Sequence, residues 1–588
     1  MSIFTTDTPQ KKSPPHYVSR NKFADIWPLI RRLIHDEKRD MAVVFVYGVV
    51  ASILGLVVPL SSQAIVNVVA LGIHTEQLIV LCVIVLLALL TMAVIMIFQR
   101  HVIDYIQRRQ FLSTAREFVS RLPRVQETVY ESLYAPELVN RFFDIVTVQK
   151  AFSKFLLDGV AALLSMVTGL VVLAIYHPFF FLYDIVFLLF IPVLVFLLGR
   201  RGIATAVEES SMKYKTLEWI EEVARSHRSI KLHKGYDYAV GKVSDLAFQY
   251  ANAKEKHFSI YARQIIGSYI FKAFATVGIL ALGGTLVIDQ QISLGQLVAA
   301  EIIIVLMMGS MDKFLSLFDI YYDFAAAVAK IQAVNDLPVE FNGKSSIVTN
   351  ASDLAVETLS VTTPYSTQHN HDANVSVKIR KNSRVALIGS NHFELTYLAK
   401  IMAGLRNPIK GFVEVYGHNV VAIDNESLHT CVTYVDSEDV VHQATIYENI
   451  TMGNDVSSTD LQAAIKAACL DQDLRMLPLG VHTETDTLGR NLTASIRKRI
   501  VLARALLNKP SLVVINGLID SVDYRLQVSI MNALNSLEDT TIIHVTGDPV
   551  VIQACERAIV IDNGSVVNDG NANDLLSSDE FLKTLLAN

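Results

Sequence analysis

A strand ending in glycine, a short turn closed by threonine and a helix behind it form the arrangement in which backbone N–H groups cradle phosphate. Here the strand is Val385-Ala386-Leu387-Ile388-Gly389 and the turn reads Gly389-Ser390-Asn391-His392-Phe393-Glu394-Leu395-Thr396, with a helix expected over 396–405. Such a loop needs glycines, because its backbone passes anionic oxygens in conformations a Cβ obstructs, and a lysine to neutralise the outer phosphates. Only Gly389 and Thr396 meet that need. Leu395 stands where the ammonium belongs, and Glu394 would set a carboxylate against phosphate.

The elements that would position this turn alternate. Strands are expected at 354–361, 375–379, 384–389, 411–416, 431–436, 512–516, 541–546 and 557–562, with helices at 460–470, 495–507 and 524–537. That alternation implies an α/β domain. Asn563-Gly564, between two apolar runs, suits a two-residue hairpin turn that requires positive φ.

The rest of the chain has a different solvent. Hydrophobic residues make up 52% and charged residues 18%, with mean hydropathy +0.38, so membrane segments are expected. Six stretches approach the ~20 residues needed to cross a bilayer: 41–60, 78–98, 155–176, 179–198, 265–288 and 294–311. Arg31, Arg32, Lys38, Arg39, Arg100, Arg108, Arg109, Arg200, Arg201 and Lys313 flank them on one side only, which places both termini in the cytoplasm. The long excursions 100–154 and 200–263 have helical apolar spacing and should continue the membrane helices below the bilayer. Asp184, Lys272 and Glu301 fall inside the spans, at a cost of at least ~2.5 kcal/mol each. Either they face a cavity or a partner charge, with Glu301 the deepest, or they reach an interface. A net charge of −6 says little about partners, no nucleic-acid partner is expected, and Cys82, Cys431, Cys469 and Cys555 have neither disulfide nor metal spacing.

With the six spans, the segments Gly489-Arg490-Asn491-Leu492, Arg499-Ile500-Val501-Leu502-Ala503-Arg504-Ala505-Leu506-Leu507 and Leu512-Val513-Val514-Ile515 make the chain resemble the ABC exporter superfamily from about Asp25 onward. Its membrane half is similar to half-transporters of bacterial type I secretion systems. The resemblance implies a multidomain membrane protein: a six-helix all-α transmembrane domain followed by an α/β P-loop ABC nucleotide-binding domain. The expected divisions are a disordered cytoplasmic segment (1–24), the transmembrane domain with cytoplasmic extensions (25–334), a linker (335–350) and the nucleotide-binding domain (351–588). Coupling helices would fall near 140–148 and 219–223.

Matched residue by residue, the resemblance leaves Gly389, Thr396, Asp523 and a candidate adenine-stacking aromatic, Tyr365, in place. Elsewhere the family's residues are replaced. His392 and Glu394 occupy glycine positions, Leu395 the lysine and Ser437 the metal-contacting glutamine. Thr493-Ala494-Ser495-Ile496 stands for the Ser-Gly-Gly-Gln signature, Asn516 for the metal-associated aspartate, Gly517 for the general base and Gly547 for the switch histidine. Losing a general base costs about 10²–10⁴ in rate, and each charge-assisted hydrogen bond lost from phosphate roughly 1.5–3 kcal/mol. The expectation is therefore a degenerate, ATPase-dead chain that is not itself an enzyme, with weak or absent Mg-ATP binding, no other cofactor and no metal site, any hydrolysis coming from a partner subunit.

The implied role is the silent half of a type I secretion-like exporter in a bacterial inner membrane, surrounded by lipid and forming a homodimer or a heterodimer with another ABC half-transporter. A periplasmic membrane-fusion adaptor and an outer-membrane channel are further implied partners. The alternative is a nucleotide-independent dimeric scaffold or regulatory pseudo-transporter.

Overall fold

A computed structural model describes residues 23–70, 75–132, 135–340, 342–349, 351–363 and 374–578. The N-terminal segment through residue 22, and Tyr365, lie outside the described residues. The chain divides into two units, one running to Pro338 without Gln126–Thr128, the other comprising Gln126–Thr128 and Val339–Asn588.

The first unit is helical: α1 (Phe23–Gly55), α2 (Val57–Ala70), α3 (Thr75–Arg121), α4 (Ala135–Phe142), α5 (Asp144–Lys154), α6 (Val160–Tyr176), α7 (Pro178–Pro192), α8 (Gly202–Arg225), α9 (His227–Leu232), α10 (Tyr236–Ile288) and α11 (Leu294–Asn335). Six helical stretches are long and apolar enough to cross a membrane: Glu37–Val69, Glu76–Arg124, Leu138–Tyr176, Pro178–Leu198, Tyr236–Ile288 and Leu294–Gln332. Each contains one expected span. The turn between α6 and α7 is short because Pro178 supplies the first helical residue and the His177 ring accepts from Phe179 N–H. α11 starts on a reciprocal capping box between Ser293 and Gln296.

Leu173, Phe180, Phe187, Ile279, Ile303 and Met307 form a core among α6, α7, α10 and α11. Gly169 permits close approach there, since a Cβ would come within 2.8 Å of Met307. Lys272 pairs with Asp312, and Arg109 pairs with Glu37 and with Asp40, at 2.8 Å to the latter. Glu301 is exposed on α11; Asp184 is buried, 4% exposed, with neither oxygen hydrogen-bonded among the described residues. Residues 219–223 lie within α8 rather than in a separate coupling helix, and Asn140 bonds Glu221. The separate short helix is α9. The surface of α3 tells of the solvent: Ile79, Val83, Leu86, Leu90, Val94 and Ile97 are exposed, a surface that water does not favour but lipid or a second chain would cover.

The second unit holds two sheets. β1 (Leu354–Val361), β2 (Val375–Arg380), β4 (Phe412–Val415) and β5 (His418–Asn419) form an antiparallel sheet ordered β2-β1-β4-β5. β3 (Arg384–Gly389), β6 (Val432–Asp436), β7 (Leu512–Asn516), β8 (Thr541–Val545), β9 (Arg557–Asp562) and β10 (Ser565–Asn571) form the other, ordered β10-β9-β3-β8-β7-β6. Every residue of β7 and β8 is buried, as expected of parallel strands covered on both faces. The helices that matter for the site are α12 (His392–Met402), α13 (Ala494–Leu507) and α14 (Tyr524–Asn535).

The expected hairpin turn forms with Asn563 at φ 50° and Gly564 at φ 79°. α12 starts four residues earlier than expected because Asn391 caps it. The segment expected as a linker is hydrogen-bonded instead: Gly343 N–H donates to Ile423 and Ser345 N–H to Ala422.

Candidate functional site

Parallel register sets the C-terminal ends of the central strands level, with Asn516 opposite both Asp436 and Val545. This is the edge where open α/β sheets bind ligands, and Gly389 ends the strand beside β8. At Gly389 a Cβ would lie 2.3 Å from the Ile561 carbonyl oxygen, so only glycine allows this approach of β3 to β9.

From Gly389 the chain turns through Ser390 and Asn391 into α12. Asn391 Oδ1 accepts from Phe393 N–H at 3.1 Å and from Glu394 N–H at 3.4 Å. These are first-turn donors of the kind that bind an anion at a helix N-terminus, and here a side-chain oxygen already takes them. His392 is exposed. Leu395 turns into the core with Val385, Leu387 and Leu398. Glu394 is also inward, 1% exposed. Its carboxylate accepts from the Thr363 side chain and from Gly564 N–H, while Oε1 has no partner among the described residues; burial raises its pKa, with Asp562 adding to the effect.

The structure brings Thr396, Ser437, Asn516 and Gly517 together. Asn516, 1% exposed, places Nδ2 3.0 Å from Thr396 Oγ1, 3.1 Å from Tyr434 Oη and 2.8 Å from Asp436 Oδ2. Tyr434 Oη also donates to Asp436 Oδ2 at 2.6 Å. Ser437 Oγ and Glu438 N–H both donate to Asp436 Oδ1, at 3.2 and 3.1 Å. Burial alone would raise the Asp436 pKa, but these donors hold it below the ordinary carboxylate range. Gly517 adopts φ 60° and donates to Val545 O at 2.9 Å. These contacts do not suit magnesium, which takes oxygen ligands at about 2.0–2.1 Å. Asp436 already accepts four hydrogen bonds, and the group facing Thr396 is an N–H donor.

Beyond this cluster, Gly547 N–H and Thr546 Oγ1 donate to Asp520, the latter at 2.7 Å; burial raises the pKa of that carboxyl. His544 is wholly inside the sheet, where burial and Arg384 push its pKa down to about 3, the behaviour of a core strand residue. Asp523 precedes α14 without capping it by its side chain. Thr493 caps α13 by accepting from Ile496 N–H at 3.3 Å, so Thr493-Ala494-Ser495-Ile496 forms an ordinary helix start. Asn391, Tyr434, Asp436 and Asp520 were not singled out in the sequence. Asn391 could have been: an asparagine two residues before paired first-turn N–H groups is a helix cap.

Two family models match the chain: ABC transporter transmembrane region over residues 41–311 and ABC transporter over residues 373–516. Among curated relatives, the Lactococcin-G-processing and transport ATP-binding protein LagD of Lactococcus lactis subsp. lactis is 25% identical over 453 residues, covering 76% of this chain and 64% of the relative. The Transport/processing ATP-binding protein ComA of Streptococcus pneumoniae (strain ATCC BAA-255 / R6) is 27% identical over 317 residues, covering 53% and 44%. The chain thus spans about half to two thirds of the length of these relatives. A solved bacterial Atm1-family ABC exporter with ATP bound shares the fold with TM-score 0.81 at 16% identity, covering 94% of this chain and 98% of that one.

These matches correct the expectation that the chain is not an enzyme. Its second domain fits a family of ATP-binding transport proteins, and its relatives are named as such. The physical reason is that effects of residues acting as a unit are not additive, while the strand-turn-helix frame of the loop is intact. The replacements read from the sequence therefore do not by themselves exclude turnover.

Proposed function

Because this chain belongs to the ABC exporter superfamily, we propose that it is one half of a dimeric exporter, paired with a second ABC half-transporter, that moves a peptide cargo by ATP-linked steps. The observation that carries this reading is the order of the two matches in one chain, membrane region first and ATP-binding domain second. The peptide class is supported by the relatives named for lactococcin G processing and transport and for transport and processing. The apolar face of α3, which lipid or a partner must cover, supports assembly in a bilayer.

Within the dimer this chain contributes half of the translocation path, and its own loop holds ATP weakly, with Leu395 in the core and Asn391 on the first-turn N–H groups. The complex sits in the inner membrane with both termini cytoplasmic, in keeping with the basic residues on one side of the spans. In a two-membrane host, an adaptor of the membrane-fusion class and an outer-membrane channel complete a type I secretion-like assembly.

The test is purification of the tagged chain from its host in mild detergent, with mass analysis and nucleotide-dependent cross-linking. A stoichiometric ABC half-transporter, or a self-dimer whose cross-links change with ATP, is expected. A self-dimer indifferent to nucleotide would replace this reading with a membrane scaffold.

A further inference from the structure

We propose that the Asn516 amide takes the place of a divalent cation between Thr396 and Asp436, so that nucleotide entering this chain's loop is held without a metal at these residues. The inference rests on the reading of residues 389–396 as a nucleotide loop. It comes from the hydrogen-bond inventory of the cluster rather than from the loss of any one residue.

Asn516 Nδ2 has two hydrogens and three oxygens within 3.1 Å: the Thr396 hydroxyl on α12, the Tyr434 hydroxyl on β6 and the Asp436 carboxylate at the end of β6. The amide orientation is fixed chemically. Turned over, it would set Oδ1 against Asp436 Oδ2, and a carboxylate offers no proton. A carboxylate has about four lone-pair sites, and Asp436 fills them with Asn516 Nδ2, Tyr434 Oη, Ser437 Oγ and Glu438 N–H. A cation reaching Asp436 would have to break at least one of these bonds, and one reaching Thr396 would meet the hydrogens of an amide. Asn516 Oδ1 is the acceptor left over, buried and without a partner. A single neutral carbonyl does not replace two anionic ligands for a hard dication. The amide therefore ties the loop helix to β6 and β7 in the way a metal bridge would, with partial positive charge on its hydrogens facing the same oxygens.

The experiment uses the full chain in detergent with manganese as the probe, read by electron paramagnetic resonance and thermal unfolding, alongside ATP titrations with manganese or with EDTA. For the wild type the expected result is no manganese signal sensitive to Thr396→Val, and ATP affinities that agree within about threefold with and without metal. Asn516→Asp sets two carboxylates side by side. It should unfold at lower temperature without metal, recover on adding manganese, and show ATP binding that becomes more than about tenfold metal-dependent. A wild-type manganese site abolished by Thr396→Val or by Asp436→Asn would overturn the proposal, whatever the folding of Asn516→Asp. So would an Asn516→Asp protein that folds and ignores manganese. Absence of ATP binding under every condition would instead count against the nucleotide reading of the loop, leaving the manganese result to judge the amide.

Discussion

Two carboxylates, Asp436 in the ATP-binding domain and Asp184 in the membrane domain, are taken out of water in opposite ways. Asp436 is half-buried and accepts four hydrogen bonds from Tyr434, Ser437, Glu438 and Asn516. Asp184 is 4% exposed on α7 and neither oxygen accepts any. A buried charge is tolerated where its lone pairs are met and is costly where they are not. The first carboxylate is thus a structural joint of its own domain. The second is a demand placed on something else: a proton, or a group from a second chain.

Removing the joint should have the largest effect. Asp436→Ala removes the acceptor of the Tyr434 and Ser437 hydroxyls, the Glu438 N–H and one Asn516 bond at once, and each buried donor left unmet costs about 1–3 kcal/mol. The thermal transition of the ATP-binding domain should fall by several degrees, and Asp436→Asn, which keeps two acceptors' worth of one oxygen, should fall less. Equal losses in the two variants would mean that the charge, not the retained acceptor oxygen, sets the stability.

Asp184→Asn tests the other side of the comparison. If the carboxylate is a bare charge, the amide should be at least as stable in detergent and gain up to about 2.5 kcal/mol, the lenient cost of an ionised aspartate at bilayer depth. A loss measured only in the assembled dimer would show instead that a partner chain supplies the missing donor. The two signs separate an internal liability from an interface.

The membrane spans were legible because a run of twenty apolar residues has few alternatives in water or lipid, and the parallel strands because 385–388, 512–515 and 558–561 are continuous apolar runs. The site was less legible. The loop positions at Leu395 and Glu394 read from sequence as groups facing phosphate, yet both turn inward. The helix begins at His392, one residue after its Asn391 cap, so the facing of every residue in the first turn differs from a helix begun at Thr396. Likewise the partnership of Asn516 with Tyr434 and Asp436 depends on which strands are neighbours. Nothing in the 79 residues between Asp436 and Asn516 encodes that locally; β6 and β7 meet only once the sheet is ordered. Depth along a helix does not specify facing: of the ionisable residues expected inside the spans, Glu301 is exposed and Asp184 buried.

Glu394 lies between the two extremes, and its substitution should have the smallest effect. One oxygen accepts from Thr363 and Gly564, and Oε1 has none. Because burial raises its pKa in the fold above the ordinary glutamate value of 4.5, the unfolded chain releases its proton more readily, so the stability this residue contributes is present below pH 4.5 and lost as pH rises through the folded value. Glu394→Gln should therefore raise the unfolding midpoint at neutral pH, by less than about 1 kcal/mol because an amide oxygen still serves Thr363 and Gly564. The gain should shrink as pH falls through the raised folded value, its pH-dependent part being lost below 4.5. A variant that is less stable than wild type at pH 7, or a gain that does not depend on pH, would place Glu394 with Asp436 as a charge the fold is built around.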